Sequence, residues 1–159
     1  MRRLLSAALV GAIASVVLVN CATAPDNILL ACARGSPGPI EGEWALERID
    51  GAAWSGSRAT LLAEGGGFGG ALACNSYSTS APDEGGAHYG VADGRLIVSG
   101  FLVTTTAGCL PRERMALEAA FLGILESEPH VAHTGDDAIC LYTDDGRSLE
   151  FRRVEGVDS

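Results

Sequence analysis

From Ile40 onward, apolar and polar residues mostly alternate with the two-residue period of half-buried strands. In "EWALERIDG" (43–51), Trp44, Leu46 and the later Ile49 fall on a mostly shared face, and the segment stops at Asp50-Gly51. "ATLLA" and "GFGGALAC" read as a hairpin around Glu64-Gly65-Gly66. "AHYGVA" and "RLIVSGFLV" flank Asp93-Gly94, a two-residue turn signal that favours positive φ. "AICLYT" and "SLEFRRV" flank "DDGR", with Cys140 and Tyr142, then Leu149 and Phe151, at period two. One segment alone has a convincing helical period. "PRERMALEAAFLGILESE" opens on Pro111, which suits a first helical turn, and sets Leu117, Phe121, Ile124 and Leu125 on one face. Glu113 sits near the positive helix start. The pattern predicts a mainly β, α+β fold: a small antiparallel barrel or sandwich of about 7–8 strands packed on a single helix near 111–126.

Before Ile40 the pattern changes. Residues 1–20 carry Arg2 and Arg3, then an uncharged apolar run from Leu4 to Val19, and read as an export signal. The run is slightly short of the roughly 20 residues of a spanning helix, though an uncleaved anchor stays open. "LVNC" (Leu18 to Cys21) is similar to a bacterial lipoprotein signal, except that Asn20 stands where Gly, Ala or Ser is usual. "LLAC" (Leu29 to Cys32) fits that pattern by letter, but Pro25 and Asp26 separate it from the apolar run. Cys21 is therefore the preferred lipidation site and Cys32 the alternative. A soluble secreted product with neither lipidated also stays open. Alanine after either cysteine fits passage to the outer membrane, where the host has one. Residues 21–39 hold three of the six prolines without a sustained period and read as a linker, leaving 40–155 as one domain. Ile28, Leu29 and Leu30 are the linker residues that could touch the body.

Beyond residue 20, twenty Asp and Glu face nine arginines and no lysine, a formal charge of −11. Such a surface has no basic patch for nucleic acid and does not adhere to anionic lipid by charge. Membrane attachment then has to come from a covalent lipid. The five cysteines are Cys21, Cys32, Cys74, Cys109 and Cys140. In an exported chain an even set usually pairs, so a lipid on Cys21 would leave four to form two bridges.

Most chemical motifs resolve into structure. Gly65 to Gly70 matches GxGxxG, but "ALACNSY" follows it where a dinucleotide site needs a helix. His130 and His133 follow Glu128-Pro129 into an expected strand, where such positions face opposite sides, so no metal site is expected. Ser76 and Ser78 lack a base and a positioned acid, and the neighbourhood of Cys74 is neutral. No catalytic residue and no cofactor are expected.

The remaining signatures fall in a familiar order: "EWALERIDG", "ACNSY" (Ala73 to Tyr77), "TTAGC" (Thr105 to Cys109), Glu-x-x-Phe-Leu at Glu118 to Leu122, and the hairpin "AICLYTDDGRSLEFRR". From about Gly42 to Val154 the chain resembles the META domain family, which includes HslJ-like bacterial envelope lipoproteins. It departs at Ala73 and Thr79, where the family favours Gly, and at Ala107, where Met is frequent. The resemblance implies that Cys74 pairs with Cys109, and it makes Asn75, Tyr77, Thr105 and Glu118 structural motif residues. Closing that loop of about 34 residues would stabilise the fold by roughly 3–4 kcal/mol in the chain-entropy account. Cys32 and Cys140 then remain as a second, lineage-specific pair. A left-handed or bulged backbone is expected at Asn75, and a hydrogen bond between Glu118 and Thr105 joining the helix to the preceding loop.

The function implied is a non-enzymatic binding or accessory role in the cell envelope, connected with envelope stress and heat shock. Its partner would be an envelope protein or a lipid held in a cleft. The alternative is an inhibitor of an extracellular hydrolase, a protease or a lysozyme, acting through the exposed loop "STSAPDEGGAH" (Ser78 to His88).

Overall fold

A computed structural model describes residues 26–56, 58–79, 89–99, 102–107 and 112–155. In chain order the elements are α1 (Asp26–Ala33), β1 (Gly42–Ile49), β2 (Ala52–Ala53), β3 (Thr60–Glu64), β4 (Gly67–Ala71), β5 (Ser76–Thr79), β6 (Tyr89–Ala92), β7 (Arg95–Val98), β8 (Leu102–Thr104), α2 (Arg112–Leu125), β9 (His130–Gly135), β10 (Ala138–Tyr142) and β11 (Ser148–Arg153). All strand pairs are antiparallel, in the order β6-β7-β9-β10-β11-β1-β3-β4-β5-β8, with β2 on β1. The sheet curls into a half-barrel. Its curvature brings edge strand β6 back toward β4, where the rings of Tyr89 and Phe68 lie 5.6 Å apart.

The α+β class, the antiparallel curved sheet and the single substantial helix agree with the sequence pattern. The strand number is larger than the expected 7–8, for a local reason. The apolar run "RLIVSGFLV" reads as one strand, yet β7 pairs with β6 and β9 while β8 pairs with β5 near the other end of the sheet. Hydrophobic periodicity records burial and not the partner, so it cannot see a strand change sheet position.

Three turns set the hairpins. Asp50-Gly51, Gly65-Gly66 and Asp93-Gly94 each have positive φ at both central residues, the two-residue type I′ geometry that matches strand twist. Part of the glycine run therefore makes a turn. Gly70, further along it, is needed for another reason: a Cβ there would collide with the Thr60 carbonyl oxygen. In β1 the register against β11 slips between Leu46 and Arg48. This bulge returns Ile49, an odd number of residues beyond Leu46, to the core face.

The concave side of the sheet is filled by Trp44, Leu61, Leu141, Leu149 and Phe151, all fully buried. Helix α2 closes it with Phe121, Ile124 and Leu125. Phe121 meets Tyr77 and Phe151 edge-on, with centroids 5.4 and 6.1 Å away. Trp44 donates its indole N–H to the Ile40 carbonyl at 2.8 Å, and the Arg153 guanidinium lies 4.1 Å over its ring.

The described part of the expected linker is structured. Its residues 26–33 form α1, which packs on β9 and β10, and a disulfide joins Cys32 to Cys140 with Cα atoms 5.6 Å apart. Ser36 then pairs with His133 of β9 through two backbone hydrogen bonds. The eight residues of α1 are too few for a stable isolated helix, which is why propensity gives no warning of it.

Candidate functional site

The motif residues converge where α2 crosses the turn before β5. Glu118 is 5 % exposed, and a buried carboxylate needs donors. Its Oε1 accepts the backbone N–H of Cys74 (2.5 Å) and of Asn75 (3.0 Å), and its Oε2 accepts the Asn75 side-chain amide (2.7 Å). The same Asn75 amide group donates to the Ala107 carbonyl at 3.2 Å. Asn75 Oδ1 accepts the Thr105 hydroxyl (3.0 Å) and the Ala107 N–H (2.8 Å). Every hydrogen-bonding position of the Asn75 side chain is thereby used. Thr105 Oγ1 in turn accepts the Ser76 N–H at 3.0 Å.

This clip differs in two ways from what the motif implies. Glu118 and Thr105 do not meet directly; Asn75 stands between them. The backbone of Asn75 is not left-handed, since among described non-glycine residues φ is positive at Asp50, Asp93 and Glu128. What the position supplies is a side chain that both donates and accepts. Tyr77, beside it, is buried and donates to the Thr60 carbonyl at 3.0 Å, with burial pushing its phenol well above the ordinary range. Cys74 is disulfide-bonded, and its expected partner Cys109 lies outside the described residues. Cys21 and all but Ser78 and Thr79 of the loop 78–88 also lie outside them.

The histidines of β9 have separate structural partners. His130 hydrogen-bonds Asp144 at 2.9 Å and stacks on Tyr142, while His133 bonds the Pro39 carbonyl at 2.8 Å. Among the described residues no group of three or more His, Cys, Asp and Glu is placed to hold a metal ion.

The fold also carries an open cleft. The segment Pro37–Glu41 and the hairpin β6–β7 enclose a cleft of about 680 Å³, also lined by Gly66, Tyr89, Gly90, Val91 and Gly94. That volume is in the range of small-ligand sites. The Tyr89 hydroxyl donates to Glu41 Oε1 at 2.5 Å. Desolvation, and after it the Glu41 carboxylate, push the Tyr89 phenol well above its usual range. The Glu41–Tyr89 pair is 48 residues apart, and no local signal in the sequence announces it.

A curved antiparallel sheet closed by one substantial helix, with an Asn-Glu clip at their junction, defines the class. The chain belongs to the META domain family, which matches residues 39–156. Among solved structures it is similar to the NMR structure of a protein from Burkholderia xenovorans, with TM-score 0.55 and 21 % identity, covering 98 % of this chain and 99 % of that one. At that identity the likeness concerns the fold. No curated protein matches the chain.

Proposed function

We propose that this META-domain protein is exported, anchored in the cell envelope by a lipid on Cys21, and serves there as a non-enzymatic binding or accessory protein, with envelope stress as its setting. The observation that carries the binding reading is the cleft between Pro37–Glu41 and β6–β7, open and bordered by an aromatic ring. The polar motif residues, by contrast, are spent on one another around Asn75. Among described residues no helix is long and apolar enough to cross a membrane, so attachment of this part would rest on the lipid. A Cys32 whose sulfur is in a disulfide cannot also carry a thioether lipid, which favours Cys21 of the two candidates. For Cys74 we propose Cys109 as the disulfide partner.

Titrating the purified domain with a fluorescent lipid or a labelled extended peptide tests the binding role. Saturable binding weakened by Tyr89→Ala supports the cleft; no binding of either probe counts against it. The alternative, a hydrolase inhibitor acting through residues 78–88, is tested by a panel of proteases and lysozymes, with that loop replaced by a Gly-Ser linker as control.

A further inference from the structure

We infer that α1 is a membrane-facing foot, an apolar patch that the Cys32–Cys140 disulfide fixes on the body and that rests on the bilayer surface. This rests on the lipid at Cys21 proposed above. Three observations lead to it. Helix α1 starts at Asp26, five residues after Cys21, so a lipid there could stand no more than about 18 Å of extended chain from the helix. A flexible linker running to Ile40 would allow about 65 Å.

The exposed residues in the middle of α1 are apolar in a strongly acidic chain, with charges only at its two ends, Asp26 and Arg34. Leu30 is 49 % exposed, Ala31 and Ala33 are exposed, and no charged residue lies between Asp26 and Arg34. The rest of the surface would be repelled by anionic headgroups; this stretch would not. Finally, α1 is not free to reorient. Cys32 and Cys140 are both buried, and α1 packs on β9 and β10. The bond therefore sets both the distance and the orientation of the domain at the membrane, with the α1–β9–β10 side inward. An apolar foot beside the lipid supplies a second point of contact with the bilayer.

The test uses the full chain purified from its native envelope, with its mass measured, and placed in phosphatidylcholine vesicles with brominated acyl chains. Tryptophan is introduced at α1 as Leu30→Trp and, separately, Ala31→Trp, with Leu62→Trp on the exposed side of β3 as the reference. The emission added at α1 should fall by about half or more in bromolipid, and that added at Leu62 should stay unchanged. If the mass shows an acylated Cys21 but both α1 tryptophans are no more quenched than the reference, the foot is wrong and the anchor stands. Shielding of α1 in envelope fractions without bromolipid quenching would mean that a protein covers it, and would also overturn the proposal. An unacylated mass removes the anchor, and the foot with it.

Discussion

The two helices are held to the same sheet by opposite means. Helix α2 spends a whole face on the core, with Phe121, Ile124 and Leu125 buried and Glu118 clipped to the turn before β5. Helix α1 leaves Leu30, Ala31 and Ala33 outside and is retained by a disulfide. Packing of the α2 kind is cooperative: the helix and the sheet each lack a core without the other. A covalent staple can hold an element that the fold does not need. Loss of α2 contacts should therefore unfold the domain, whereas loss of the staple should release α1 and leave the META body folded.

The largest effect is expected for Phe121→Ala, which removes a fully buried ring touching both Tyr77 and Phe151. It should cost about 4 kcal/mol in urea unfolding, with one transition for the whole domain. A variant that loses less than half of this would mean that α2 is a lid and the sheet has a core of its own.

Next is the double variant Cys32→Ala with Cys140→Ala. The bond closes a sequence separation of 108 residues, worth about 4.7 kcal/mol in the chain-entropy account; because α1 regains freedom in the folded variant, removal should cost less, about 3 kcal/mol. The sharper measurement is hydrogen exchange. Amides of residues 29–33 should lose protection while those of β10 and β11 keep theirs. If all lose protection together, α1 belongs to the cooperative body and the contrast between the helices fails.

Which of these features the sequence discloses follows from the same contrast. Helix α2 is legible because four apolar residues at helical spacing record a buried face, and the Asp-Gly and Gly-Gly turns because positive φ demands those residues. Helix α1 is not legible, because its stability comes from a bond 108 residues distant and not from its own eight positions. The motif residues are legible as a set, but not what each does. Asn75 looks like a backbone residue, and only the fold brings Thr105, Ala107 and Glu118 around its side chain. The Glu41–Tyr89 cleft depends on the curl of the whole sheet and leaves no pattern at all.

The clip on α2 gives a smaller and more chemical test. In Glu118→Gln the amide oxygen can take the place of Oε1 and keep the Cys74 and Asn75 N–H groups, but its NH₂ then faces the Asn75 amide donor 2.7 Å away. One charge-assisted bond is replaced by two opposed donors, a cost of about 1–2 kcal/mol by urea midpoint. Asn75→Asp should fail in a related way, by setting a second carboxylate against Glu118. If Glu118→Gln has wild-type stability, the clip is not what ties α2 to the strand that follows Cys74.

The smallest effect lies on the α1 side of the sheet, where β9 meets β7 and the Arg95 and His130 side chains of that junction share one exposed carboxylate. Asp144 accepts from Arg95 at 2.7 Å and from His130 at 2.9 Å; the Arg95 hydrogen bond first, then that of His130, hold its carboxyl below the usual range. A depressed acid stabilises the fold above its unfolded pKa, about 3.9, and that contribution disappears as pH falls through the lower folded value. Wild type and Asp144→Asn should thus differ slightly at pH 6 and converge below about pH 3, and added salt should shrink the gap because the site is open to solvent. A gap that stayed constant from pH 6 to acid would assign it to side-chain packing at the β7–β9 junction and remove the carboxylate from the account.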